Sequence, residues 1–159
     1  LENVLQDSHL LSVVAIDCWC FLVRYGTASV CRDQVQFLML AYKQLCMTGR
    51  QSAHKLKCLI QRLIKFMSQE HQSALLKQFS PHDDPHLWVA LTTSCLVDDL
   101  AVSVRQSLIA WGLSILQGTE VKALEVFKAC KLFTDILGDC SMTECMSRQQ
   151  QILLINSVC

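Results

Sequence analysis

The sequence predicts an all-α fold of antiparallel helix pairs, a segment of a HEAT- or armadillo-like α-solenoid. Three observations predict it. Among 159 residues only 5 are Gly and 2 are Pro, so turns are few and the elements between them are long; a tightly turned all-β chain would need many more. Hydrophobic residues reach 52% and charged residues only 18%, which excludes disorder because ample apolar surface offsets chain entropy. Apolar residues also recur at i, i+3, i+4 and i+7 over most of the chain, the spacing of a helix with a buried face.

Ser8 is placed to cap a first helix running to Tyr25, with Gly26 as its stop. Leu10, Leu11, Val14, Cys18, Phe21, Leu22 and Tyr25 share one face of it. Val13, Ile16, Cys20 and Val23 cover a second, leaving a narrow polar strip with Ser12, Asp17 and Arg24. A helix apolar nearly all round is expected to be buried on more than one side.

Thr27 or Ser29 caps a second helix to about Thr48, with Val30, Val35, Leu38, Met39, Tyr42 and Leu45 in period and Gly49 as the stop. A third spans about Ser52 to Ser68 through Leu56, Leu59, Ile60, Leu63, Ile64 and Met67, and a shorter one covers Glu70 to Phe79. The loop Ser80-Pro81-His82-Asp83-Asp84-Pro85 follows, its two prolines forbidding helix continuation. His86 to about Cys95 reads as a short helix, and Val97 to Gln117 as a long one ending at Gly118. Thr119 caps the next, to Leu137 and Gly138, and Ser141 with Glu144 forms a capping box opening a last helix towards Val158.

The stretches from Ser8 to Thr48 and from Val97 to Leu137 each hold a helix pair of about 40 residues, the HEAT or armadillo scale. Residues 1–159 therefore read as one α-helical segment of a larger protein, with 1–79 and 86–159 as two sub-stacks around the loop 80–85. Leu1 and the apolar run before Cys159 do not look like natural termini. No stretch is long enough to span a bilayer, since the most apolar, Leu10 to Val23, is interrupted by Asp17. Glu2 and Asp7 stand where a signal peptide would carry basic residues.

The 10 cysteines are scattered singly within helical patterns, where Cys acts as a small hydrophobe, so reduced thiols in an intracellular compartment are expected. Cys18 and Cys20, two apart on a helix, point in different directions and form no redox pair. His82-Asp83-Asp84-Pro85-His86 is the one cluster resembling a metal site, but it lacks a full ligand set and reads as a solvated loop. GxGxxG, P-loop, HExxH and GxSxG patterns are absent. No catalytic, cofactor-binding or metal residue is assigned, no cofactor is implied, and the segment is expected not to be an enzyme.

Charge is split along the chain. Residues 1–79 hold nine Lys/Arg against five Asp/Glu, a balance of +4, and residues 80–159 the reverse, −4. The stretch 43–65 is basic throughout, and Lys55, Lys57, Arg62 and Lys65 are the candidate contacts for a partner or for phosphates. A nucleic-acid-binding helical-repeat module using 43–65 is thus the alternative reading, although no stacking aromatics are interleaved there.

The run Asp17-Cys18-Trp19-Cys20-Phe21-Leu22-Val23-Arg24-Tyr25-Gly26 contains the triplet Trp19-Cys20-Phe21. Further along come Leu59-Ile60-Gln61-Arg62-Leu63-Ile64-Lys65-Phe66-Met67, His71-Gln72, Lys77-Gln78-Phe79-Ser80-Pro81 and Leu87-Trp88. In this order they resemble the fidgetin-like-interacting regulator of recombination and mitosis family, whose signature is tryptophan-cysteine-phenylalanine. The resemblance spans about Leu10 to Trp88. It implies a non-catalytic nuclear scaffold that partners a fidgetin-like AAA ATPase and controls strand-exchange recombinase filaments in homologous recombination, DNA repair and meiosis. DNA or the recombinase filament would be an indirect partner, and no membrane is implied. Trp19, Cys20 and Phe21 lie about 100° apart around the helix, so the signature is expected to be structural, packing a central helix against several neighbours.

Overall fold

The computed structural model describes residues 1–47, 52–117, 123–138 and 147–148. Among them are eight helices and no strand, and no helix long and apolar enough to cross a membrane. The chain forms two compact units, one of Leu1–Gln78 with Ser94–Val97, the other of Phe79–Thr93 with the residues from Asp98 onward.

The first unit holds α1 (Glu2–Leu5), α2 (His9–Arg24), α3 (Ala28–Met47), α4 (Ala53–Ile64) and α5 (Gln69–Gln78). α4 is its axis, packing against α1, α2 and α3. The periodic residues of α4 behave as their spacing predicts: Leu56, Leu59, Ile60, Leu63 and Ile64 are fully buried. Val35, Leu38, Met39 and Tyr42 of α3 close over them. α4 ends earlier than expected, at Ile64, where Phe66 N–H bonds Leu63 O and Met67 N–H bonds Ile64 O, both at 3.0 Å. Such three-residue spacing tightens a last turn instead of extending the helix.

α1 was not expected. Four residues are too few to show periodicity, and the helix is held from outside: Ser12 is buried and donates its hydroxyl to Val4 O at 2.6 Å. Ser12 therefore lies in the interface of α1 and α2 and not on a polar strip. Ser8 caps α2 as expected, its Oγ accepting the Leu11 N–H at 3.5 Å. Gly26 ends the helix, donating to Val23 O at 3.1 Å, without entering the left-handed region.

The expectation that α2 is enclosed on several sides is corrected. Only the face of Ser12, Ile16, Cys20 and Val23 is buried. The opposite face, which carries more of the helix's large side chains, is open: Leu10 is 73% exposed, Phe21 61%, Leu22 71% and Tyr25 77%. The spacing is helical on both faces, and the pattern alone does not say which one meets the core.

The second unit holds α6 (Pro85–Leu91), α7 (Asp98–Gln117) and α8 (Ala123–Gly138). Pro85 takes the first helical position, which needs no N–H. Trp88 is fully buried and donates its indole N–H to Phe79 O at 2.7 Å. α6 stops at Leu91 rather than near Cys95, because Thr92 turns the backbone to φ 63°, ψ 157°, a region ordinarily left to glycine. α7 and α8 pack closely at Gly112: a Cβ there would stand 3.0 Å from the Phe133 ring. The stops at Gly49 and Gly118, the Thr119 cap, and the Ser141 and Glu144 capping box with its last helix lie outside the described residues.

Candidate interaction surface

Helix α4 presents its cations on two flanks. Lys55 and Arg62 are seven residues apart, two turns, and so share one side. There Lys55 Nζ donates to Gln6 O, the carbonyl that ends α1. Arg62 Nη1 donates to Asp17 Oδ1 of α2 at 2.6 Å. That hydrogen bond is the largest influence holding the guanidinium further towards its charged form. Both cations thus fasten α1 and α2 onto α4. Lys57 and Lys65 lie on the other flank, near enough to Cys95 to pull its thiol pKa down slightly, against burial that pushes it up to about 11. The basic run read from sequence is therefore not one patch: two of its four candidates are engaged within the fold, and two are on a separate side.

Between the α1–α2 connection and α4 lies a cavity of about 380 Å³ lined by Asp7, His9, His54, Lys55, Cys58 and Arg62 among others. Cys58 Sγ and His54 Nδ1 stand 3.9 Å apart there, one turn from each other on α4. Among the described residues no group of three or more His, Cys, Asp or Glu is arranged to hold a metal ion. In the loop 80–85, His82 meets Asp83 at 3.4 Å in open solvent. His86 instead stacks edge-on against Trp111, with ring centroids 5.0 Å apart.

The signature triplet divides three ways. Cys20 is buried with Ile16 and Val23, and desolvation raises its thiol pKa. Trp19 is half-buried at a groove of about 400 Å³ that it shares with Leu22, Val30 and Gln34. Phe21 is exposed, with its ring 4.7 Å from that of Tyr25. Cys18 is exposed and Cys20 buried, as their opposed directions require. Sequence reasoning missed Gln72, a buried polar residue whose role rests on contacts distant in sequence.

The sequence pattern of the family described as Domain of unknown function (DUF4487) matches residues 1–157. The chain belongs to the DUF4487 family. Among curated proteins this DUF4487 chain is similar to the "FIGNL1-interacting regulator of recombination and mitosis" of Rattus norvegicus, 35% identical over 106 residues, which is 65% of this chain and 12% of the relative. The Danio rerio protein of the same name is 30% identical over 111 residues, covering 69% of this chain and 12% of the relative. For the Homo sapiens protein the values are 33% over 93 residues, 57% and 11%. The matched region thus spans about one eighth or less of each relative's length. No solved structure matches the chain.

Proposed function

We propose that this DUF4487 chain is a non-catalytic segment of a regulator of recombination that works through a fidgetin-like ATPase. The observation that carries the reading is the shared name of its relatives, each a FIGNL1-interacting regulator of recombination and mitosis. ATP-driven chemistry then belongs to the partner, and this segment supplies helical scaffold. We extend the reading to a HEAT-like solenoid, supported by the packing of consecutive helices α3 on α4 and α7 on α8, to a nuclear location, and to control of strand-exchange recombinase filaments. Backbone contact with nucleic acid has less support. With Lys55 and Arg62 engaged within the fold, only Lys57 and Lys65 of the four candidates are left to displace counterions, and two cations give a shallow salt dependence.

The test is co-purification. The full polypeptide carrying this chain, tagged and isolated at mild salt from its own cells, is expected to bring down a fidgetin-like ATPase identified by mass spectrometry. Its absence from a preparation in which the bait is intact overturns the reading.

A further inference from the structure

Among the described residues Cys58 differs from every other cysteine. Cys18, Cys46 and Cys130 are exposed and Cys20, Cys31 and Cys95 are buried, whereas Cys58 is half-buried. It stands in the wall of the cavity between the α1–α2 connection and α4. On α4 it follows Lys55 by three residues and precedes Arg62 by four. Its thiol therefore lies on the side of the helix that carries both cations, about one turn from each. His54, one turn back, brings Nδ1 to 3.9 Å from Sγ. The Arg62 guanidinium, held towards its charged form chiefly by the Asp17 hydrogen bond, also responds to charge on Cys58. A nucleophile, a proton acceptor and two cations thus meet in one hollow. A partly accessible, electropositive setting of this kind separates a reactive thiol from a core one.

The cavity indicates the reagent. Its volume of about 380 Å³ lies at the small end of pockets for small molecules, roughly 300–1,000 Å³. It admits a molecule of tripeptide size and no folded partner. Lys55 gives one N–H to Gln6 O and Arg62 gives one to Asp17, each keeping most of its donors. Asp7 supplies a carboxylate from the α1–α2 connection, across from α4. Two cations and one anion complement a molecule with two carboxylates and one ammonium, which are the charges on each half of glutathione disulfide.

We propose that Cys58 is a modification site for glutathione disulfide, held in the cavity by its carboxylates on Lys55 and Arg62 and by its ammonium on Asp7. Cys58 Sγ attacks one sulfur of the bound disulfide while His54 Nδ1 accepts the thiol proton. A sulfur–sulfur bond to Cys58 forms as the bond within the reagent breaks. The proton then passes to the departing glutathione thiolate. Cys58 is oxidised to a mixed disulfide and half of the reagent is reduced to glutathione, so no further oxidant enters. The Sγ to Nδ1 separation is long for proton transfer, as such contacts are before a substrate binds. The inference rests on the cavity and is independent of the ATPase reading.

The test uses the intact 159-residue chain, reduced, freed of reductant, and exposed to glutathione disulfide or to uncharged bis(2-hydroxyethyl) disulfide. Peptide mass mapping over time gives the rate at Cys58 relative to exposed Cys46, so the intrinsic reactivity of each reagent cancels. That ratio is expected to be about tenfold or more higher for glutathione disulfide, the gain from one charge-assisted hydrogen bond. This comparison needs no variant. Asp7→Asn is expected to lower the ratio about threefold or more, because the ammonium loses its partner. A cavity that merely attracts anions would raise it instead, and that result overturns the proposal. His54→Gln is expected to slow Cys58 about tenfold or more with both reagents, with the helical circular dichroism unchanged. A ratio equal for the two disulfides, a Cys58 inert to glutathione disulfide, or a folded His54→Gln variant as fast as the original chain overturns it equally.

Discussion

At Gln72 one buried side chain serves three backbone groups. Its Nε2 donates to Ile64 O at 3.0 Å and Met67 O at 3.3 Å, where α4 ends, and its Oε1 accepts the Val97 N–H at 2.9 Å. Two carbonyls and one N–H admit a single orientation of the amide. Gln72→Leu keeps the bulk of the side chain but strands Met67 O and Val97 N–H in the interior, each at a cost of about 1–3 kcal/mol. Urea unfolding of that variant is expected to show a loss of about 3 kcal/mol, and Gln72→Glu, which has no donor for the two carbonyls, is expected to lose at least as much. A loss under about 1 kcal/mol for both would show that water replaces the amide. Gln72, like Ser12, was illegible in the sequence for one reason. A lone polar residue in a helix is read as solvent-facing unless its partners are known, and these partners are five to twenty-five residues away, outside the residue's own helix turn.

Helices are legible where their signals are local. The Ser8 cap, the end of α2 before Gly26, the Pro85 start of α6 and the span of α7 follow from residues within one turn of each boundary. The early ends of α4 and α6 do not, because no Gly or Pro marks Lys65 or Thr92. Face selection is less legible still. In α4 a single apolar face leaves no choice, and all of it is buried, whereas α2 has two candidate faces and the core takes the one with fewer large side chains. What fastens that choice is polar: Arg62 to Asp17, and Lys55 to the end of α1. The candidate contact residues were therefore visible as charges but not as clamps. Both partners of the ion pair are partly exposed, so its coupling should be modest. A double-mutant cycle on Asp17→Ala and Arg62→Ala is expected to give about 0.5 kcal/mol at low ionic strength, shrinking as salt screens it. A coupling of zero at low salt would free Arg62 to serve as a partner contact.

Across the whole chain, sequence order and spatial membership part company. The chain leaves the first unit after Gln78, contributes Phe79–Thr93 to the second, and returns to the first for four residues before α7 begins. Nothing in the local pattern of Ser94-Cys95-Leu96-Val97 marks it as belonging with residues far upstream, because four residues carry no period. Its chemistry does so only in three dimensions: Cys95 and Leu96 are buried, and the Val97 N–H reaches Gln72. Leu96 is thus part of the core built on α4 and α5, although it lies two residues from the start of α7. Leu96→Ala should cost about 2–4 kcal/mol, the transfer of its methyl groups plus the cavity left behind. Because each unit has its own buried set, that loss should fall on the first. Amide hydrogen exchange is expected to quicken across α4 and α5 while α7, its neighbour in sequence, keeps its protection. Equal acceleration in α7 and α8 would show instead that the two units open as one cooperative body, and that these four residues couple them.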